Sequence, residues 1–211
     1  YPQYVAAGRL DFLRFDPTNA NIMYTGSPTG GFWKTTDGGL NWITTTDNLG
    51  VIGCSDLAID PINPNILYLA TGDGNTTYCR SIGIMKSTDG GATWNTTGLT
   101  YTVTQGRHIL RLLINPVNPQ ILIAATNNGI WRTTDGGTTW NLVLSQNLKD
   151  MEFKPSDPNT FYASGYYGFW LSTNGGLSFS QISNGIPTTG FNGISIAVTE
   201  ADPNYVYAII T

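Results

Sequence analysis

Thr35-Thr36-Asp37-Gly38-Gly39-Leu40-Asn41-Trp42 is the phrase that decides the fold, because the chain repeats it. It returns as Ser87-Thr88-Asp89-Gly90-Gly91-Ala92-Thr93-Trp94 and as Thr133-Thr134-Asp135-Gly136-Gly137-Thr138-Thr139-Trp140. A degenerate fourth copy reads Ser172-Thr173-Asn174-Gly175-Gly176-Leu177-Ser178-Phe179. Asp-Gly-Gly between apolar runs is a tight hairpin turn, since glycine accepts positive φ without steric cost. The side chains of Asp37, Asp89, Asp135 and Asn174 can cap backbone N–H groups of their own turns. The closing Trp42, Trp94, Trp140 and Phe179 each return an aromatic ring to the core. These eight residues therefore read as scaffold.

Counted Asp to Asp or Asn, the copies lie 52, 46 and 39 residues apart. That is the period of four-stranded propeller blades. Upstream of each copy, a short apolar strand meets a Pro/Asn turn and then a second strand, as in Leu57-Ala58-Ile59-Asp60-Pro61 before Ile66-Leu67-Tyr68-Leu69. Such turns between apolar runs signal hairpins, and no segment shows sustained helical periodicity. The expected fold is an all-β propeller, with blades near residues 8–46, 52–97, 107–145 and 149–183 and a partial one at 193–211. A closed propeller leaves no long edge. A half-blade therefore reads as part of a larger ring of roughly seven to ten blades. A small ring closed by the first and last strands is the alternative.

Composition narrows the function. Charged residues are 11% of the 211, against roughly 25% in average domains. The net charge is −4, with no basic stripe, so nucleic-acid binding has no electrostatic footing. No apolar run reaches membrane-spanning length. The chain starts at Tyr1 with no leader, which reads as a mature or truncated polypeptide. Cys54 and Cys79 fall on one face of the second blade. A disulfide pinning loop 72–83 and two unpaired thiols are equally open readings.

Blade topology puts the Asp-Gly-Gly and Pro/Asn turns on one face. The variable loops lie on the other, at 27–31, 72–83, 126–129 and 165–168 and at 96–106 and 183–193. Function usually sits on variable loops of a rigid scaffold. The binding-face candidates are Arg9, Asp73, Asn75, Tyr78, His108, Tyr166 and Tyr167. The tyrosines offer a platform for sugar or peptide stacking, or simply pack on neighbours. Asp73 and Asn75 give Ca²⁺ two oxygens, short of the six or more it takes, so no cofactor or metal is expected. The first strand of each blade lines the channel, with Arg9, Asp11, Arg14, Asp56, Arg111 and Asp150 there to bind a ligand or to pair with one another. His108 is the single histidine, so neither a zinc site nor a Ser-His-Asp triad is readable.

The phrase at Asp37, Asp89 and Asp135 resembles the Asp-box, or BNR repeat, of sialidases, sortilin/Vps10 propellers and xyloglucan-cleaving glycosidases. The fuller blade pattern, including Gly30-Gly31-Phe32-Trp33-Lys34-Thr35 and Ser81-Ile82-Gly83-Ile84-Met85-Lys86, is similar to propellers of large secreted Bacteroidota proteins. Those are commonly exported by the type IX secretion system. The resemblance implies a secreted or cell-surface location, with secretion or outer-membrane machinery as a further partner. Xyloglucan-cleaving enzymes of this fold carry a carboxylate before a Gly-Gly pair in the first blade. Here that place reads Ser27-Pro28-Thr29-Gly30-Gly31. Asp73 is the weak catalytic candidate, without a visible partner, and glycosidases normally need two carboxylates. The first expectation is a non-catalytic module binding carbohydrate or protein. The alternatives are a xyloglucanase- or sialidase-like hydrolase and a sortilin-like receptor or assembly factor.

Overall fold

The computed structural model describes residues 8–74, 79–187 and 192–210. Four antiparallel four-stranded sheets follow one another along the chain, with a two-stranded sheet after them. The first holds β1 (Phe12–Phe15), β2 (Met23–Ser27), β3 (Gly31–Thr35) and β4 (Ile43–Thr44). The second holds β5 (Cys54–Ile59), β6 (Leu67–Thr71), β7 (Gly83–Ser87) and β8 (Asn95–Thr100). The third holds β9 (Ile109–Ile114), β10 (Leu122–Thr126), β11 (Gly129–Thr133) and β12 (Asn141–Leu144). The fourth holds β13 (Leu148–Lys154), β14 (Asp157–Gly165), β15 (Phe169–Ser172) and β16 (Ser180–Ile182), and β17 (Ile194–Val198) pairs with β18 (Val206–Ile210). This is the all-β blade architecture expected from the repeat.

Three local expectations need correction. Residues 96–100 continue β8 instead of opening a loop, and a single 3-10 turn, Val103–Gln105, follows them. Arg9 and Asp11 precede β1 and are not part of it. In the fourth sheet the expected Pro/Asn turn is a tighter hairpin. Ser156 there adopts φ 64°, and Asp157 already belongs to β14.

The two families of turns meet on one face. Gly38, Gly90, Gly136 and Gly175 donate their N–H groups to the carbonyls of Asn21, Asn65, Gln120 and Asn159, at 2.8–3.0 Å. Asp16, Asp60 and Asn115 stiffen the other turn by accepting N–H groups two and three residues ahead, as Asx turns do.

The core lies in the seams between sheets. Phe12, Tyr24 and Phe32 pack on Leu57, Leu67, Leu69 and Met85, with Trp94 at the margin. Ala58, Tyr68 and Ile84 pack on Leu112, Leu122 and Ala124, with Trp140 beside them. Ile123, Ala125 and Ile130 pack on Met151, Phe161 and Trp170, with Phe179 beside them. The closing aromatics therefore work between blades, against the preceding sheet. A basic residue crosses each of these three seams as well. Lys34 Nζ donates to the Gly90 carbonyl at 2.9 Å, Lys86 Nζ to Gly136 at 3.1 Å and Arg132 Nε to Gly175 at 2.8 Å. Leu171 holds the equivalent place in the fourth sheet.

Candidate functional site

The repeated turns are built as scaffold. Thr35, Ser87, Thr133 and Ser172 donate their hydroxyls to Oδ1 of Asp37, Asp89, Asp135 and Asn174 at 2.7–2.9 Å. The same Oδ1 accepts the N–H four residues ahead, from Asn41, Thr93, Thr139 or Ser178. In the three Asp copies Oδ2 accepts the side chain of that residue. In the fourth, Asn174 Nδ2 donates to Ser178 Oγ at 2.8 Å, which works because a hydroxyl both gives and takes.

These hydrogen bonds hold the carboxyls down to about 2: Asp37 through the Asn41 N–H, Asp89 through the Thr93 hydroxyl, Asp135 through the Thr139 N–H. A depressed folded-state value stabilises above the unfolded value, near 4, and that stabilisation is lost as pH falls toward 2. The urea midpoint is expected to fall between about pH 4 and pH 2, and less steeply in the Asp89→Asn variant. A midpoint unchanged across that range would show that the turns do not stabilise through their charge.

The channel charges form a paired lattice. Asp56 is 2% exposed. Its Oδ1 accepts Arg14 Nη2 at 2.6 Å and its own Leu57 N–H at 2.9 Å, and its Oδ2 accepts the Leu112 N–H of the next sheet at 2.8 Å. Asp150 repeats the arrangement two seams later, between the fourth sheet and the two-stranded one, on the N–H groups of Met151 and Ile196. Arg111 lies 3.6 Å from Asp150 and forms a short ion pair with Glu152. Burial pushes the Glu152 carboxyl up, and Arg111 opposes that shift.

The variable-loop face gathers Arg9, Asp11, Asp73 and His108. Arg9 bridges the two carboxylates, with Nε 2.9 Å from Asp11 and Nη2 2.6 Å from Asp73. Both acid side chains are 5% exposed. Burial raises the Asp11 carboxyl against the pull of Arg9, and its Oδ2 is buried without a hydrogen-bond partner. His108 Nδ1 lies 2.8 Å from the Asp73 carbonyl. A carbonyl only accepts, so Nδ1 carries the proton. Nε2 is then the acceptor for Arg80 Nη1 at 2.5 Å. Asp73 thus turns its carboxylate to a guanidinium. Among the described residues no cluster of three or more His, Cys, Asp or Glu could hold a metal ion. Asn75 and Tyr78 lie outside the described residues.

Cys54 and Cys79 lie near enough for the charge of one to act on the other, and a side chain at the neighbouring Gly53 would stand 2.6 Å from Cys79 Sγ. Both are nonetheless free thiols. Cys54 directs its S–H to the Ile52 carbonyl at 3.2 Å, and burial pushes both thiols up. Tyr166 and Tyr167 are 36% and 78% exposed. Their ring centroids are 6.5 Å apart, and Lys149 Nζ sits 6.0 Å from the Tyr166 ring.

No protein-family model matches the chain. It is 32% identical over 132 residues to a xyloglucanase of Paenibacillus sp, a match covering 58% of this chain and 13% of that protein. It is 33% identical over 132 residues to xyloglucanase Xgh74A of Acetivibrio thermocellus, covering 58% of this chain and 16% of that one. The crystal structure of an ancestral GH74 enzyme superposes with a TM-score of 0.74 at 25% identity, over 98% of this chain and 30% of that one. The chain is an Asp-box-type β-propeller related to the GH74 xyloglucanases. The GH74 enzyme of Niastella koreensis gives a TM-score of 0.72 at 25% identity, over 97% of this chain and 33% of that chain. YCF48 bound to D1 peptide shares the fold, with a TM-score of 0.60 at 16% identity over 100% of this chain and 64% of that one. This GH74-related propeller thus spans about a seventh of the length of the curated relatives it matches. Its Pro28 is buried, and a side chain at Gly53 would come within 2.3 Å of the Pro28 carbonyl.

Proposed function

We propose that this propeller arc is a non-catalytic, carbohydrate-binding face of a secreted or cell-surface bacterial protein. One observation carries the reading. The two carboxylates on the loop face, Asp11 and Asp73, are buried and tied to a single arginine. General acid–base chemistry needs a carboxylate at the reacting bond. Carboxylates locked in this way position loops instead. The relation to xyloglucanases favours a glycan over a protein as ligand. Exposed Tyr167 and Tyr166 offer flat apolar faces beside Asn- and Thr-bearing loops. Export as cargo of the type IX secretion system belongs to the same reading.

The test is affinity electrophoresis against xyloglucan and other β-glucans, run beside an assay for released reducing ends. Retardation without release is expected, and Tyr167→Ala should weaken it by about tenfold, as loss of one stacking contact does. Release of oligosaccharides that disappears in Asp73→Ala would sink the reading. It would establish the second one, a glycoside hydrolase, which the identity to xyloglucanases favours.

A further inference from the structure

The chain has ten lysines and arginines, and they divide by the partners they hold. Arg9, Arg14 and Arg111 pair with carboxylates. Lys34, Lys86 and Arg132 hold the turn carbonyls of neighbouring sheets. Lys154 donates to Asn204 Oδ1 at 3.3 Å. Arg80, Arg107 and Lys149 have no carboxylate within 4 Å among the described residues. All three lie on the variable-loop face, in a chain whose net charge is −4.

Arg80 and Arg107 stand on two segments joined by backbone hydrogen bonds. The N–H of Ser81 donates to the Arg107 carbonyl at 2.9 Å, and Tyr101 N–H donates to the Ile82 carbonyl at 3.0 Å. Arg80 is held by its Nη1, on His108 Nε2 at 2.5 Å and on the Gly106 carbonyl at 3.4 Å. Its Nε and Nη2 make no hydrogen bond among the described residues, so the edge that recognises a carboxylate side-on stays unengaged. Nδ1–H of His108 donates to the Asp73 carbonyl and Nε2 accepts from Arg80, so the ring anchors the guanidinium. The Arg107 charge reaches the Tyr101 ring, whose hydroxyl is buried without a hydrogen-bond partner. Asn127 Nδ2 donates to the same Gly106 carbonyl at 3.0 Å, so the junction continues onto the loop of the third sheet. The fourth sheet adds Lys149 of β13 and the two exposed tyrosines of its 165–168 loop.

We propose that Arg80 and Arg107 form an anion subsite that takes the carboxylates of a uronic-acid-bearing polysaccharide. The inference rests on the glycan-binding reading and narrows its ligand. An acidic polymer approaching a negatively charged protein needs local cations to overcome repulsion. Arginine suits a planar carboxylate better than lysine does. Aromatic faces on the same side favour sugar rings over an acidic peptide as the carrier of that charge.

The experiment measures binding of polygalacturonate, neutral xyloglucan and polyglutamate to the intact polypeptide, at low and at high salt. Variants are Arg107→Gln, Arg80→Gln and the double variant. The Arg107 side chain makes no hydrogen bond within the described fold, so its variant separates ligand loss from misfolding. Polygalacturonate is expected to bind best, to weaken with salt and to lose about tenfold in each single variant, the value of one charge-assisted hydrogen bond. Xyloglucan binding should not change in Arg107→Gln. Equal affinity for neutral and uronate polymers, untouched by the variants, would overturn the anion subsite and leave the glycan reading standing. Polyglutamate binding as well as polygalacturonate would overturn the choice of a sugar. Absence of binding to either glycan would remove both readings.

Discussion

Asp56→Ala is expected to cost about 3–5 kcal/mol of folding stability, as removing one member of a buried charged network does. The side chain is 2% exposed and accepts three hydrogen bonds. Two come from backbone N–H groups, Leu57 in its own sheet and Leu112 in the next. Alanine leaves both buried, at about 1–3 kcal/mol each. Arg14 loses its partner too, but its side chain is 33% exposed and can turn to water, so its share is the smaller one. Asp56→Asn is the sharper variant. An amide has one acceptor oxygen and one donor nitrogen, so its NH₂ would face an N–H or the Arg14 guanidinium. Asn is therefore expected to cost nearly as much as Ala, although it preserves volume. Asp150→Ala should cost less, because that side chain is 20% exposed. Denaturant midpoints of the three variants decide. A loss under about 0.5 kcal/mol in Asp56→Ala, the level of an ordinary surface change, would show that the carboxylate is not what joins the second and third sheets.

That network shows where the sequence could be read and where it could not. The blades were legible because a turn needing two positive-φ residues has few spellings. Gly38-Gly39, Gly90-Gly91, Gly136-Gly137 and Gly175-Gly176 all sit at positive φ. Strand order then followed from hairpin connections alone. Side-chain destinations were less legible. Asp56 and Asp150 read as channel charges that pair or bind. Their Oδ2 atoms bond backbone N–H groups about fifty residues away, and a backbone donor leaves no mark in a sequence. The seam cations did leave one: Lys34, Lys86 and Arg132 each stand three residues before the Asp of the repeat. Of the closing aromatics, Trp94, Trp140 and Phe179 pack half-buried against core clusters while Trp42 joins none of those described, and which sheet each touches depends on blade packing. On the loop face, Arg9, Asp73 and His108 were named singly, and the fold brings them into one cluster with Asp11 and Arg80. Arg107 escaped notice because an arginine after a glycine, in a connecting segment, carries no pattern. Tyr166 and Tyr167 were visible because two adjacent tyrosines between glycines can scarcely both be buried.

Trp94→Ala is expected to lose about 3 kcal/mol, the lower end for large aromatics because the ring is half-buried. The ring meets Phe32 of the first sheet edge-on, with centroids 5.1 Å apart at 78°. Phe32 itself is wholly buried. Trp94 Nε1 donates to Thr45 Oγ1 at 3.1 Å, and Thr45 in turn donates to the Gly91 carbonyl at 2.5 Å. The indole thus joins one sheet to the next through both its ring and its N–H. Trp94→Phe keeps the ring contact and drops the donor, so about 1 kcal/mol should go. Trp42 is the internal control. It occupies the same place in the first copy, yet its Nε1 bonds the Gly39 carbonyl of its own turn at 3.1 Å, and no preceding sheet packs on it among the described residues. If the aromatic stabilises by bridging sheets, Trp42→Ala in the 211-residue chain must cost clearly less than Trp94→Ala. Equal losses would mean that each ring serves only the turn that carries it, and the seams would then rest on the aliphatic residues and the carboxylates alone.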